Sequence, residues 1–133
     1  MNLFAKLQQR KDNPVRIGLI GAGKFAAMYL AQVPKTPGVH LVGIADIAPD
    51  YARQNLARIG WETERSGAKS LDSALREGRT HLSDNWEALV AHPGIDIVIE
   101  ATGNPPAAVE HALAAFRNKK HVVMVSLSIV HSG

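Results

Sequence analysis

The chain has 133 residues, 46% of them hydrophobic and 20% charged, with a formal net charge of +3 and no cysteine. That length suits one domain with one real core, and the missing cysteines exclude disulfides, thiolate metal sites and a Cys nucleophile. Lys and Arg are scattered, with only Arg10-Lys11 and Lys119-Lys120 adjacent, so no basic stripe marks nucleic acid, and no run reaches the roughly 20 apolar residues of a membrane span.

Leu3, Phe4 and Leu7 recur at helical spacing, which predicts a helical extension over residues 1–14 that Asn13-Pro14 closes. Met1 to Asn13 has no continuous apolar stretch and is not read as a signal peptide; a cytoplasmic location is expected. Val15 to Ile20 is a short β-branched run between Pro14 and Gly21, a buried strand. From Gly23 a helical pattern runs through Phe25, Met28 and Tyr29 until Pro34 and Pro37-Gly38 stop it. Val39 to Ala45 is a second strand, and Ala48-Pro49-Asp50 turns into a helix over 51–59 ended by Gly60.

Trp61 to Gly78 is less regular, with Leu71, Ala74 and Leu75 marking a helix that has Asp72 near its start. Thr80 to Leu82 reads as a short edge strand, after which Ser83 or Asp84 caps a helix carrying Trp86, Leu89 and Val90. His92-Pro93-Gly94 ends it. Ile95 to Ala101 is the next strand, and Thr102 to Pro105 the turn after it. Pro106 suits a helix N-terminus, and the helix it opens carries Val109, Leu113 and Phe116 at helical spacing. His121 to Val125 is the last strand. Strand and helix alternate throughout, so the expected fold is α/β: a Rossmann-type doubly wound parallel sheet, order 3-2-1-4-5, with helices on both faces. Residues 15–125 are its expected extent and 126–133 a divergent tail.

Gly21-Ala22-Gly23-Lys24-Phe25-Ala26 matches G-x-G-x-x-G/A. Gly21 permits a tight turn, Gly23 lets backbone approach a pyrophosphate, and Ala26 lets helix pack on strand. A helix N-terminus behind such a turn supplies unpaired N–H groups for phosphates. Alone, the motif also fits a ligand-free turn; here it follows an expected strand and opens an expected helix, the context it requires. Lys24 either adds charge beside the phosphates or faces solvent.

Asp46 ends the second strand, where an acid accepts the adenosine ribose hydroxyls. The bland reading is a turn or capping Asp. A carboxylate here repels the 2′-phosphate of NADP, which favours NAD, although Arg53 lies within a turn of the following helix. Ala101-Thr102-Gly103 follows the fourth strand, at the crevice for the nicotinamide half. Gly103 permits close approach, and the Thr102 hydroxyl is placed to bond a ribose or phosphate; an ordinary strand-to-helix turn is the alternative. Glu100 reads either as a buried acid near the nicotinamide or, the more ordinary reading, as an acid held by a structural hydrogen bond to a neighbouring loop. None of the six histidines pairs at a metal spacing, and each is read as surface or capping. Trp61 and Trp86 are read as core or interface. The expected cofactor is NAD or NADP, with no metal.

Arg16 to Gly23, Gly43 to Asp46, Ile95 to Gly103 and Lys120 to Val125 together resemble the NAD(P)-binding domain of homoserine-dehydrogenase-like oxidoreductases. The resemblance is nearest to those that append a SAF domain, including DXP-reductoisomerase-like enzymes, and it covers nearly all of residues 15–125. It implies a cofactor domain, often for NADPH, followed by a domain that supplies substrate and catalytic residues. In that family Asn and Lys follow the fifth strand; here Ser126 to Gly133 depart from the pattern. A chain ending at the fifth strand also leaves Val122 to Val125 at an uncovered sheet edge. The expectation is a truncated piece, inactive alone, meeting a small-molecule substrate only in a longer form, with a homo-oligomer as one arrangement. A stand-alone dinucleotide-sensing module is the alternative, and a methyltransferase fits less well.

Overall fold

The computed structural model describes residues 12–125. The tail and nearly all of the expected helical extension lie outside these residues. Five parallel strands are present: β1 Val15–Ile20, β2 Val39–Ala45, β3 His81–Ser83, β4 Ile97–Glu100 and β5 His121–Met124. Their order is β3-β2-β1-β4-β5, the one expected. The helices are α1 Ala27–Gln32, α2 Pro49–Arg58, α3 Leu71–Glu77, α4 Trp86–Ala91 and α5 Pro105–Arg117. Short 3-10 turns follow α1, at Val33–Lys35, and precede α3, at Thr63–Ser66.

Each face of the sheet carries its own core. One gathers Ile17, Leu19, Leu41 and Ile44 with Leu30 of α1 and Leu56 of α2. The other gathers Ile20, Val42 and Val98 with Ala74, Leu89, Val90, Ala114 and Ala115 from α3, α4 and α5. Side chains alternate across a strand, yet Leu41 and Ile44, three apart, share a core. The register explains it: Ile17 pairs with Leu41 but Gly18 with Gly43, so Val42 is an extra residue that resets the alternation.

Several boundaries move by a few residues. The helix expected from Gly23 begins at Ala27, because Ala26 N–H bonds back to the Gly23 carbonyl at 3.1 Å in a turn. The strand expected from Ile95 starts at Ile97, after the turn in which Ile95 N–H bonds His92 O. The cap of α4 is Asn85, whose Oδ1 accepts from Ala88 N–H, rather than Ser83 or Asp84. On α5 the stripe Val109, Leu113 and Phe116 faces outward, 51–60% exposed. Small residues (Ala112, Ala114, Ala115) face inward beside His111 and let the helix lie close on β4 and β5.

Trp61 is buried and its Nε1–H donates to Leu30 O at 2.8 Å, tying the loop after α2 to α1. Tyr29 packs on the same core with its hydroxyl buried and unpartnered among the described residues, and burial pushes that hydroxyl up to about 12.

Candidate functional site

At the carboxyl ends of the strands the chain turns sharply after β1. Gly21 holds φ +95°, and its N–H donates to Ala45 O at 2.8 Å. A Cβ there would stand 2.9 Å from the Ala101 carbonyl, so a side chain is excluded by both conformation and space. Gly23 is different. An added Cβ would meet no atom within 4 Å, and its φ is not positive. The protein itself leaves that space free, which is the room a pyrophosphate needs. Among the described residues nothing accepts from the N–H groups of Gly23, Lys24 or Phe25. Three consecutive free donors are a fitting set for an anion. Ala26 is buried in the core, as its role requires.

Asp46 joins two loops. Its Oδ2 accepts from Ala22 N–H at 2.8 Å and its Oδ1 from Ala48 N–H at 2.8 Å. The turn-capping reading is therefore realised. Each oxygen still has a lone pair free for a hydroxyl, so the ribose reading remains compatible. Ile47, 99% exposed, and Tyr51, 57% exposed, edge the cleft beside it. Sequence reasoning noted Ile47 only as the residue that is not an Arg, and gave neither side chain a place at the cleft. Arg53 donates to Asp50 at 3.2 Å, an exposed pair, and does not line the cleft.

Across the turn, the Phe25 ring lies on Gly103, where a Cβ would come within 2.3 Å of it; Gly103 also holds φ +71°. Glu100 is 1% exposed. Its Oε1 accepts from both the backbone N–H and the hydroxyl of Thr102, at 2.7 and 2.5 Å, and its Oε2 meets His111 Nδ1. The loop hydrogen bond expected of Glu100 is present. The Thr102 hydroxyl spends its one proton on Glu100, so it can accept from a ribose hydroxyl but cannot donate to a phosphate. His111 corrects the reading of every histidine as surface or capping: it is buried, on the inner face of α5. Its partner lies eleven residues away on another element, a pairing no local spacing signals. Trp86 packs on His111, ring centroids 4.4 Å apart.

A cleft of about 470 Å³ brings these pieces together, within the roughly 300–1,000 Å³ of small-molecule sites. Gly21, Gly23, Lys24, Phe25, Asp46, Ala101 and Thr102 all line it. Ala22 is buried behind Asp46, and Gly103 supports Phe25, so neither is part of the lining. Among the described residues no group of His, Asp and Glu could hold a metal ion, and no helix is long and apolar enough to cross a membrane.

Residues 15–124 match the family GFO_IDH_MocA, described as "Oxidoreductase family, NAD-binding Rossmann fold". The chain belongs to this family. As a GFO_IDH_MocA domain it is an NAD(P)-binding oxidoreductase domain, with dinucleotide the cofactor class. Solved structures agree in fold. One is the biliverdin reductase of Synechocystis sp. PCC 6803 in complex with biliverdin and NADP+, at 25% identity and TM-score 0.55, covering 84% of this chain and 29% of that one. Another is the myo-inositol dehydrogenase of Lactobacillus casei with NAD(H) and myo-inositol, at 18% and 0.59, covering 84% and 28%. A levoglucosan dehydrogenase with NADH and L-sorbose gives 23% and 0.54, covering 84% and 27%. The chain thus spans under a third of the length of these solved relatives. Among curated proteins none matches. These matches support the GFO_IDH_MocA family and lend nothing to the homoserine-dehydrogenase-like or SAF branch.

Proposed function

We propose that the cleft holds NAD or NADP across the end of β1, as the cofactor half of an oxidoreductase whose substrate-handling part lies outside these residues. The observation that carries this is Gly23: the fold has no use for a glycine there, and a close-lying pyrophosphate does. In this reading the free N–H groups of Gly23, Lys24 and Phe25 meet the phosphates, with the exposed Lys24 ammonium nearby. Asp46 accepts the adenosine ribose hydroxyls, and Ile47 and Tyr51 offer apolar surface to the adenine. Thr102 accepts a hydroxyl of the nicotinamide-side ribose. The bound dinucleotide would supply hydride transfer; this chain binds and orients it.

The Asp46 carboxylate and the engaged Arg53 support NAD over NADP, since a 2′-phosphate would meet a negative charge and no guanidinium among the described residues lines the cleft beside it. Support for placement near the homoserine-dehydrogenase-like branch is the sequence resemblance alone. The domain extent 15–125 rests on the family match over residues 15–124 and on the strands within it.

Calorimetric titration of the purified chain with NAD, NADP and S-adenosylmethionine tests the reading. Binding of a nicotinamide cofactor, NAD the tighter, is expected. A folded sample that binds neither one, or that binds S-adenosylmethionine instead, overturns it.

A further inference from the structure

His111 and Trp86 line the cleft, beyond the residues any glycine-turn rule accounts for, and the buried Glu100 contacts His111 without reaching the lining. Burying a carboxylate and an imidazole is costly, and apolar residues of similar volume stabilise a sheet interior as well or better. Val98, also on β4, shows what packing alone places there. The Glu100 carboxylate accepts from Thr102 N–H and Thr102 O–H through Oε1 and meets His111 Nδ1 through Oε2. A carboxylate only accepts, so the neutral imidazole that fits this contact is the one with its hydrogen on Nδ1 and its lone pair on Nε2. Among the described residues nothing hydrogen-bonds to that nitrogen, and the His111 side chain, 9% exposed, lines the cleft. A staple that merely satisfied Glu100 would need Nδ1 and would have no use for an imidazole at a ligand cleft.

We propose that Glu100 and Trp86 hold His111 so that its Nε2 accepts a hydrogen bond from the nicotinamide half of the bound dinucleotide, making His111 a specificity-determining residue and Glu100 a positioning one. This rests on the cofactor reading above. Geometry places it on that half: Asp46 stands on the β2 side of the glycine turn, whereas Glu100 ends β4, across β1, and His111 packs on it from α5. The ligand group is an N–H or O–H donor, which the nicotinamide carboxamide and the adjoining ribose both possess. Carboxylate–imidazole pairs orient a ring in the same way at metal and nucleophile sites, the acid fixing the tautomer and the far nitrogen doing the recognising.

The test reads the imidazole nitrogens of the full chain by long-range 1H–15N correlation, with His111→Gln to assign the signals. In the free protein Nδ1 is expected to carry the hydrogen. NADH is expected to move the Nε2 resonance toward the protonated side, and ADP, which lacks the nicotinamide half, to leave it in place. ADP-ribose separates the two donors: a matching shift assigns the ribose hydroxyl, and none assigns the carboxamide. A proton on Nε2 in the free protein, an unmoved Nε2 in saturating NADH, or an equal shift with ADP overturns the proposal. Affinities give a second arm. His111→Phe keeps a ring on Trp86, and Glu100→Gln keeps the imidazole but frees its tautomer. Each is expected to weaken NADH about tenfold, the worth of one hydrogen bond to a buried partner, with ADP affinity within about twofold. Variants that bind NADH as the parent does refute the inference while leaving the cofactor reading intact. A parent chain that binds neither NADH nor ADP sinks both.

Discussion

Gly18 and Gly43 stand side by side on β1 and β2, and together they form the hollow into which Leu89 of α4 descends. A Cβ on Gly18 would lie 2.5 Å from Leu89 Cδ2, and one on Gly43 would meet Leu71 at 2.6 Å and Leu89 at 3.2 Å. The missing side chains set how closely α4 approaches the sheet, and α4 carries Trp86 to the cleft. Gly18→Ala is therefore expected to destabilise the fold by about 1–3 kcal/mol through overpacking. Urea unfolding measures it. Leu89→Ala costs stability alone, but the pair Gly18→Ala with Leu89→Ala should be less damaging than the two effects added. Strict additivity would show that the contact is not what excludes the side chain.

Gly23→Ala separates folding from binding. No atom opposes the new methyl and the backbone needs no positive φ, so the unfolding midpoint should stay put or rise slightly. Cofactor affinity should fall tenfold or more, about 1.4 kcal/mol, because the methyl occupies the space of the pyrophosphate. Equal affinity for NADH in the variant would remove the main support for the phosphate site.

Asp46→Asn touches both roles of that residue. An amide offers one acceptor where the carboxylate offered two, so either Ala22 or Ala48 loses its partner. Stability should drop by about 1 kcal/mol. NADH should weaken about tenfold while NADPH weakens less, since the repelling charge is gone. Calorimetry with both cofactors reads the ratio; an unchanged ratio argues against Asp46 as the ribose acceptor.

Tyr29 gives a pH signature. Burial pushes its hydroxyl up to about 12, above the roughly 10 of an unfolded tyrosine. A raised acid favours folding while both states are protonated, so its contribution is full below pH 10 and is lost as pH climbs toward 12. Tyr29→Phe should abolish a late step in the alkaline absorbance titration and flatten stability above pH 10. Near neutral pH the variant should be as stable or more so, because the hydroxyl has no partner among the described residues. A loss of more than 1 kcal/mol there would contradict the geometry.

The periodic signals carried the fold well. Apolar runs bounded by Gly and Pro located β1 and β2, and the alternation of strand and helix implied the sheet order that is present. Ends were harder, since capping is a local competition: Asn85 rather than Asp84 captures the free N–H of α4. Helical spacing on α5 marked a stripe without saying which way it faced, and alanines proved to be the packing face. At the cleft, the glycine turn and Asp46 were legible as neighbours because one rule ties the turn to an acid at the end of the next strand, and Gly21, Gly23 and Asp46 do line it. Trp86, His111, Ile47 and Tyr51 were not, for they reach the cleft through tertiary packing between α4, α5 and the β2–α2 loop.

Asp46 has one more consequence, in kinetics. Its two oxygens already hold the loops after β1 and β2 in place, at 2.8 Å each. A dinucleotide arriving at that half of the cleft meets a formed surface and waits for no loop to close. Association should then be a single bimolecular phase, its rate rising linearly with ligand and unsaturated by any slow isomerisation. Differences in affinity among cofactors would appear almost wholly in how fast each one leaves.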